Sequence, residues 1–271
     1  VGGSQEQRAD EDRERCSAAG GGREVSSAIS LLLAFVLTVA GMAVATNTAV
    51  SKLPKPSETM RAAIVGVSGS GKGNAAKAYL VVCTKAGMRI IAWDPLDEYS
   101  QKGKKSKHVH LGCLRDRCTF EELADNPSRW LDVEDLSLAV VPSDDDDVAA
   151  EEFADFVELI RPTGNMLVVV DELGGFAFGN AKATIAQKAL NTLATKGRHD
   201  GICCLFVSQR LVHIPTSARA SVTAIETFNQ TSPQDLAALE EITGMPELAL
   251  VVSKQKAGES TAWVSPMLEA A

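Results

Sequence analysis

Residues 66–73 read Gly-Val-Ser-Gly-Ser-Gly-Lys-Gly and place two glycines and a lysine at G-x-x-x-x-G-K spacing. Glycines at those places let consecutive backbone N–H groups turn toward one anion, and the lysine reaches its outer oxygens. Phosphate is the anion that fits, which makes Gly66, Ser68, Gly69, Ser70, Gly71, Lys72, Gly73 and Asn74 the candidate nucleotide-binding residues. Gly73 stands where such loops carry the Ser or Thr hydroxyl that ligates magnesium. The metal would then rest on ATP oxygens and waters, with Ser70 or Asn74 as partial substitutes. ATP binding is accordingly a firmer expectation than ATP hydrolysis.

Two further groups extend the chemistry. In Asn-Met-Leu-Val-Val-Val-Asp-Glu (165–172) a continuous apolar run ends in two carboxylates. At the C-terminal edge of a parallel strand, Asp171 can hold the water shell of a magnesium ion and Glu172 can polarise an attacking water. The run Ile202–Val207 ends in Ser208-Gln209, whose amide can orient that water or sense a γ-phosphate. Arg198 precedes this run, on the opposite sheet edge from its own nucleotide, and is suited to reach a neighbour's site in a ring as an arginine finger.

These residues need a scaffold of alternating strands and helices. Arg61–Val67 reads as a buried strand, and Asn74–Gly87 as a helix with a glycine stop, so strand, loop and helix come in the order the phosphate loop requires. The stretch 142–160 reads as an acidic helix start followed by an apolar stripe, its carboxylates complementing the helix dipole. Residues 232–244 read as a capped surface helix ending at Gly244. The pattern predicts an α/β fold with a central, mostly parallel sheet flanked by helices.

Four segments in this order resemble one family. Ile-Ala-Trp-Asp-Pro-Leu-Asp-Glu-Tyr-Ser (91–100) resembles the D-P-x-x-E-Y segment of HerA-type ATPases, and residues 197–220 followed by 231–244 are similar to the sensor strand and following region of the HerA/FtsK superfamily. That superfamily includes viral genome-packaging ATPases and the zonular-occludens-toxin-like proteins of filamentous phages. The resemblance covers Arg61 to the end of the chain. It implies a RecA-like core, a hexameric ring and DNA translocation driven by ATP with magnesium, for genome packaging, phage extrusion or DNA transfer. Lys72 then binds phosphates, Asp171 and Glu172 form the second Walker motif, Gln209 is the sensor and Arg198 the trans finger. The run 247–266 reads as two strands around a Gly-containing turn, matching the hairpin expected near the family's C-terminus.

Outside this core the sequence changes character. Residues 1–24 are rich in Gly, Ser and charge and read as a disordered leader. Residues 25–46 form an apolar segment, uncharged from Val25 to Ala45 and long enough to cross a bilayer as a helix. With Lys52, Lys55 and Arg61 after it, the positive-inside rule leaves the following domain in the cytoplasm. A secretory signal, suggested by Ala43-Val44-Ala45, and a start at Met60 compete with that anchor. Residues 47–59 read as a linker and 60–271 as the ATPase domain.

The formal net charge is −8, of which residues 1–59 carry about −1, so any DNA contact needs a local basic patch. Lys102, Lys104, Lys105 and Lys107 supply a candidate. His108, His110, Cys113 and Cys118 bring four zinc-capable side chains together at a spacing uncommon for zinc, and the cysteines read as reduced thiols rather than a disulfide framework. Two rival functions share the loop. A P-loop kinase would carry an arginine-rich lid, whereas 210–230 holds only Arg210 and Arg219. A non-hydrolysing nucleotide-binding scaffold at a membrane would be compatible with Gly73.

Overall fold

The computed structural model describes residues 51–54, 60–102 and 112–266. The leader, the apolar segment 25–46, and Lys104, Lys105, Lys107, His108 and His110 lie outside the described residues. β1 (Arg61–Val65) runs through the Gly-rich loop into α1 (Lys72–Lys85), followed by β2 (Ile90–Trp93) and β3 (Asp116–Thr119). Then come α2 (Phe120–Asp125), α3 (Pro127–Leu131), β4 (Ser137–Val141), α4 (Asp146–Ile160) and β5 (Met166–Val170). The chain continues through α5 (Ala183–Lys196), β6 (Ile202–Ser208), α6 (Thr216–Arg219), β7 (Ala224–Phe228), α7 (Pro233–Thr243), α8 (Pro246–Val252) and β8 (Ser260–Val264).

The eight strands form one sheet in the order β3-β4-β2-β5-β6-β1-β7-β8, parallel throughout except for the antiparallel edge strand β8. Successive residues of a strand face opposite sides. Ala63 and Val65 therefore join an aromatic core with Trp93, Phe153, Phe156 and Phe176, while Ala62 and Ile64 join a second core with Tyr79 and Leu80 of α1. Helices cover both faces, which explains why the central strands read as unbroken apolar runs.

The expected helix boundaries hold. α1 ends before Gly87, at φ 75°. The Asp145 side chain caps α4 by accepting from the N–H groups of Asp147 and Val148. Gly244, at φ 66°, closes α7.

The C-terminal run departs from expectation. Its first part is α8, not a strand: Pro246 opens the first turn, and Leu248, Ala249 and Val252 bury one face while Leu250 and Val251 stay exposed. Only 260–264 pairs with the sheet, as β8. Part of the expected linker also belongs to the folded body. Buried Glu226 of β7 accepts from the Ser51 hydroxyl (2.7 Å), the Lys52 N–H (2.9 Å) and the Ser260 hydroxyl (2.8 Å).

Among the described residues, no helix is long and apolar enough to cross a membrane.

Candidate nucleotide site

Because β5, β6, β1 and β7 lie side by side and parallel, their C-terminal ends share one edge. The Gly-rich loop leaves β1 at this edge, Asp171 and Glu172 leave β5, and Gln209 leaves β6 between them. Ligands bind at such an edge in open α/β sheets.

Close packing explains the loop's glycines. A Cβ on Gly66 would sit 2.6 Å from both Phe228 Cβ and Ser70 Oγ. Gly71, at φ 107°, caps α1 in a conformation that side chains resist, and a Cβ there would meet the Phe228 ring at 3.2 Å. Val67, Ser68 and Gly69 are exposed at the mouth, and Lys72 begins α1. From behind, the Gly258 N–H donates to the Ser70 carbonyl (3.0 Å), so the loop between α8 and β8 braces the phosphate loop.

The fit of magnesium can be judged from the donors. Gly73 has open space around it and no side chain to offer. The Ser70 hydroxyl is buried without a hydrogen-bond partner. Asn74 is exposed on the first turn of α1. Asp171 supplies a carboxylate at the edge. This set fits a magnesium ion carried on ATP oxygens and waters, with Asp171 acting through water.

Asp171 is almost wholly buried, and burial pushes its carboxyl up to about 7, against the lowering effect of the bond it accepts from the Glu172 N–H (2.7 Å). Glu172 adopts φ 50°, a left-handed conformation uncommon for a residue with a side chain. Its carboxylate accepts a 2.7 Å hydrogen bond from Gln209 Nε2. The two groups expected to act on water thus meet directly.

The D-P-x-x-E-Y segment flanks this pair from β2. Buried Asp94 accepts from the N–H groups of Glu98 (3.0 Å) and Tyr99 (2.8 Å), which folds the segment into a tight turn and seats Tyr99 beside Asp171. Burial raises the Asp94 carboxyl to about 6. Lys77 of α1 pairs with Glu98 (3.3 Å), and Arg117 of β3 pairs with Asp97 (2.8 Å).

Arg198 is exposed in a 3-10 turn, Gly197–Asp200, at the start of β6. The seven residues of β6 separate it from Gln209, about 20 Å of extended chain. The structure therefore does not bring Arg198 to its own phosphate loop. Lys102 pairs with Asp116 (3.0 Å) beside β3. Cys118 faces the core, and burial pushes the Cys113 and Cys118 thiols up to about 12. Among the described residues, no group of three His, Cys, Asp or Glu side chains is placed to hold a metal.

Sequence reasoning missed three polar residues around Gln209: His213, Gln230 and Asp235. His213 lies over Gly174, where a Cβ would be 3.0 Å from the imidazole, and stacks on Phe178 with ring centroids 4.9 Å apart. Burial first, and Arg210 second, hold its pKa below the usual histidine value. Gln230 and Asp235 are buried, and Asp235 pairs with Arg210. α7 is therefore more than the surface helix expected. A carboxylate one turn into a helix gives no sequence signal of burial; only the exit path of β6 reveals it.

Residues 148–256 match the family described as Poxvirus A32 protein. No curated protein matches the sequence. Among solved structures, the genome packaging NTPase B204 from Sulfolobus turreted icosahedral virus 2, in complex with AMPPCP, is 15% identical with a TM-score of 0.55. That alignment covers 78% of this chain and 95% of B204. B204, the DNA-packaging ATPase from Sulfolobus turreted icosahedral virus, is 17% identical over 79% of this chain and 95% of its own, with a TM-score of 0.53. VirB4 of Thermoanaerobacter pseudethanolicus is 14% identical over 78% and 89%, with a TM-score of 0.52. The solved structures share the fold, a mostly parallel α/β sheet with the Gly-rich loop at one strand's C-terminal end, and residues 148–256 are similar to the Poxvirus A32 family.

Proposed function

We propose that the chain hydrolyses ATP to drive DNA through a ring of its own copies, as a genome-packaging motor. The observation that carries this reading is the convergence of the phosphate loop, Asp171, Glu172 and Gln209 on one sheet edge, with Gln209 bonded to Glu172 at 2.7 Å. The match of residues 148–256 to the Poxvirus A32 family and the likeness to B204 support packaging as the use of that site.

Backbone N–H groups of residues 66–73 and the N-terminus of α1 cradle the phosphates, and Lys72 reaches the β- and γ-oxygens. Magnesium, when bound, neutralises charge on those oxygens. Asp171 would hold that magnesium through water. Glu172 takes the proton of the attacking water, and Gln209 orients that water while holding the carboxylate. Arg198, remote from its own loop, serves the adjacent subunit's site, where such a finger contributes about 10³–10⁵ in rate. Lys102 and the three lysines after it track DNA phosphates without reading sequence. The apolar run 25–46 would serve such a motor as a membrane anchor.

A kinase lid is not supported, because Arg210 is committed to Asp235 (3.0 Å) and Arg219 lies against Glu241 (3.9 Å). The test is phosphate release by the purified chain with and without double-stranded DNA. DNA-stimulated turnover that Glu172→Gln abolishes supports the motor. Tight ATP binding with no turnover would replace it with a nucleotide-binding scaffold, the reading that Gly73 permits.

A further inference from the structure

The main chain leaves β6 at Ser208 and crosses 209–212 without a strand partner, so its polar groups need other bonds. Two buried side chains from beyond β7 supply them. The Gln209 carbonyl accepts from Gln230 Nε2 at 3.0 Å. Asp235, whose side chain has no exposed surface, accepts from Arg210 Nε through one oxygen and from the Val212 N–H through the other, both at 3.0 Å. The second arm of the Arg210 guanidinium reaches Ser232 and Gln234, each at 3.0 Å. The Gln209 carbonyl and residues 210 and 212 after it are thereby fixed to the segment 230–235 that leads into α7.

We infer that Gln230 and Asp235 are positioning residues for hydrolysis, which set the main chain at Gln209 so that its amide meets Glu172. The inference rests on Gln209 acting on water, as proposed above. The distances support a relay rather than ordinary packing. A carboxylate fully removed from water is costly unless both oxygens are bonded, and both bonds of Asp235 go to residues within three positions of Gln209. Gln230 spends its amide on the Gln209 carbonyl itself. A shift of the α7 N-terminus would carry residues 209–212 with it and lengthen the 2.7 Å contact to Glu172.

The test is a double-mutant cycle on the full chain, read by steady-state ATP hydrolysis and by binding of a fluorescent ATP analogue. Gln230→Met removes one hydrogen bond at nearly constant volume. We expect it to lower kcat by about tenfold with KM unchanged. In a Gln209→Ala background the same change should cost less than about twofold, because the group it positions is gone. Asp235→Asn should follow the same pattern, and Gln230→Met carries the test if that variant does not fold. Equal losses in both backgrounds, or a loss that appears in KM, would overturn the positioning role and leave these residues as packing. A wild-type chain without turnover would instead overturn the ATPase reading beneath it.

Discussion

Gln209 Nε2 and Glu172 Oε1 lie 2.7 Å apart, which joins the ends of neighbouring strands β6 and β5 by one hydrogen bond. The bond orients the carboxylate expected to activate water and fixes the amide expected to orient that water. Gln209→Ala should therefore lower turnover by about 10²-fold, the low end of general-base effects, while ATP-analogue affinity changes less than about twofold. Faster hydrolysis in this variant would mean that the contact restrains Glu172 and that Gln209 has no catalytic part.

Gly73 offers a gain-of-function test. Nothing lies within 4 Å of where its Cβ would stand, so Gly73→Ser meets no clash in the first turn of α1. Restoring the hydroxyl should raise the magnesium-dependent rate and lower the magnesium concentration for half-maximal turnover. An unchanged magnesium titration would show that Asp171 and ATP already complete the shell.

Arg198 can be tested by mixing. Arg198→Ala alone should bind ATP normally and lose about 10³ in turnover. Glu172→Gln alone should also be inactive. Combined, the two variants should recover part of the activity, because a ring then contains sites with an intact Glu172 facing an intact Arg198. Mixed rings as inactive as their parents would rule out a finger acting between subunits.

His213 predicts a pH dependence. Burial and Arg210 hold its folded pKa below the ordinary histidine value of 6.5, against weaker raising effects of Asp235 and Glu172. Below that value the unfolded chain binds the proton more readily than the native one, so stability rises with pH through this window. The contribution is intact above pH 6.5 and is lost as pH falls toward the folded pKa. Between about pH 7.5 and about pH 5 the wild-type Tm should fall more steeply than that of His213→Gln. Parallel Tm curves would remove His213 from the account.

Much of this was legible in the sequence because the relevant signals are local. Unbroken apolar runs mark β1, β5 and β6, and the loop glycines answer to the 2.6 Å and 3.2 Å approaches at Gly66 and Gly71. Residues 247–252 misled because a short apolar run fits strand and helix alike, and Pro246 was the deciding feature. The partners of Gln209 were hidden for another reason. Gln230 and Asp235 lie 21 and 26 positions beyond it, and only the placement of β7 beside β1 folds them back against it.

The bonds of Ser51 and Lys52 to Glu226 make β7 the strand on which the chain's preceding segment is moored. Glu226 lies two residues before Phe228, whose ring shapes the phosphate loop. The segment entering β1 and the ring that shapes the phosphate loop are thus held on one strand, two residues apart.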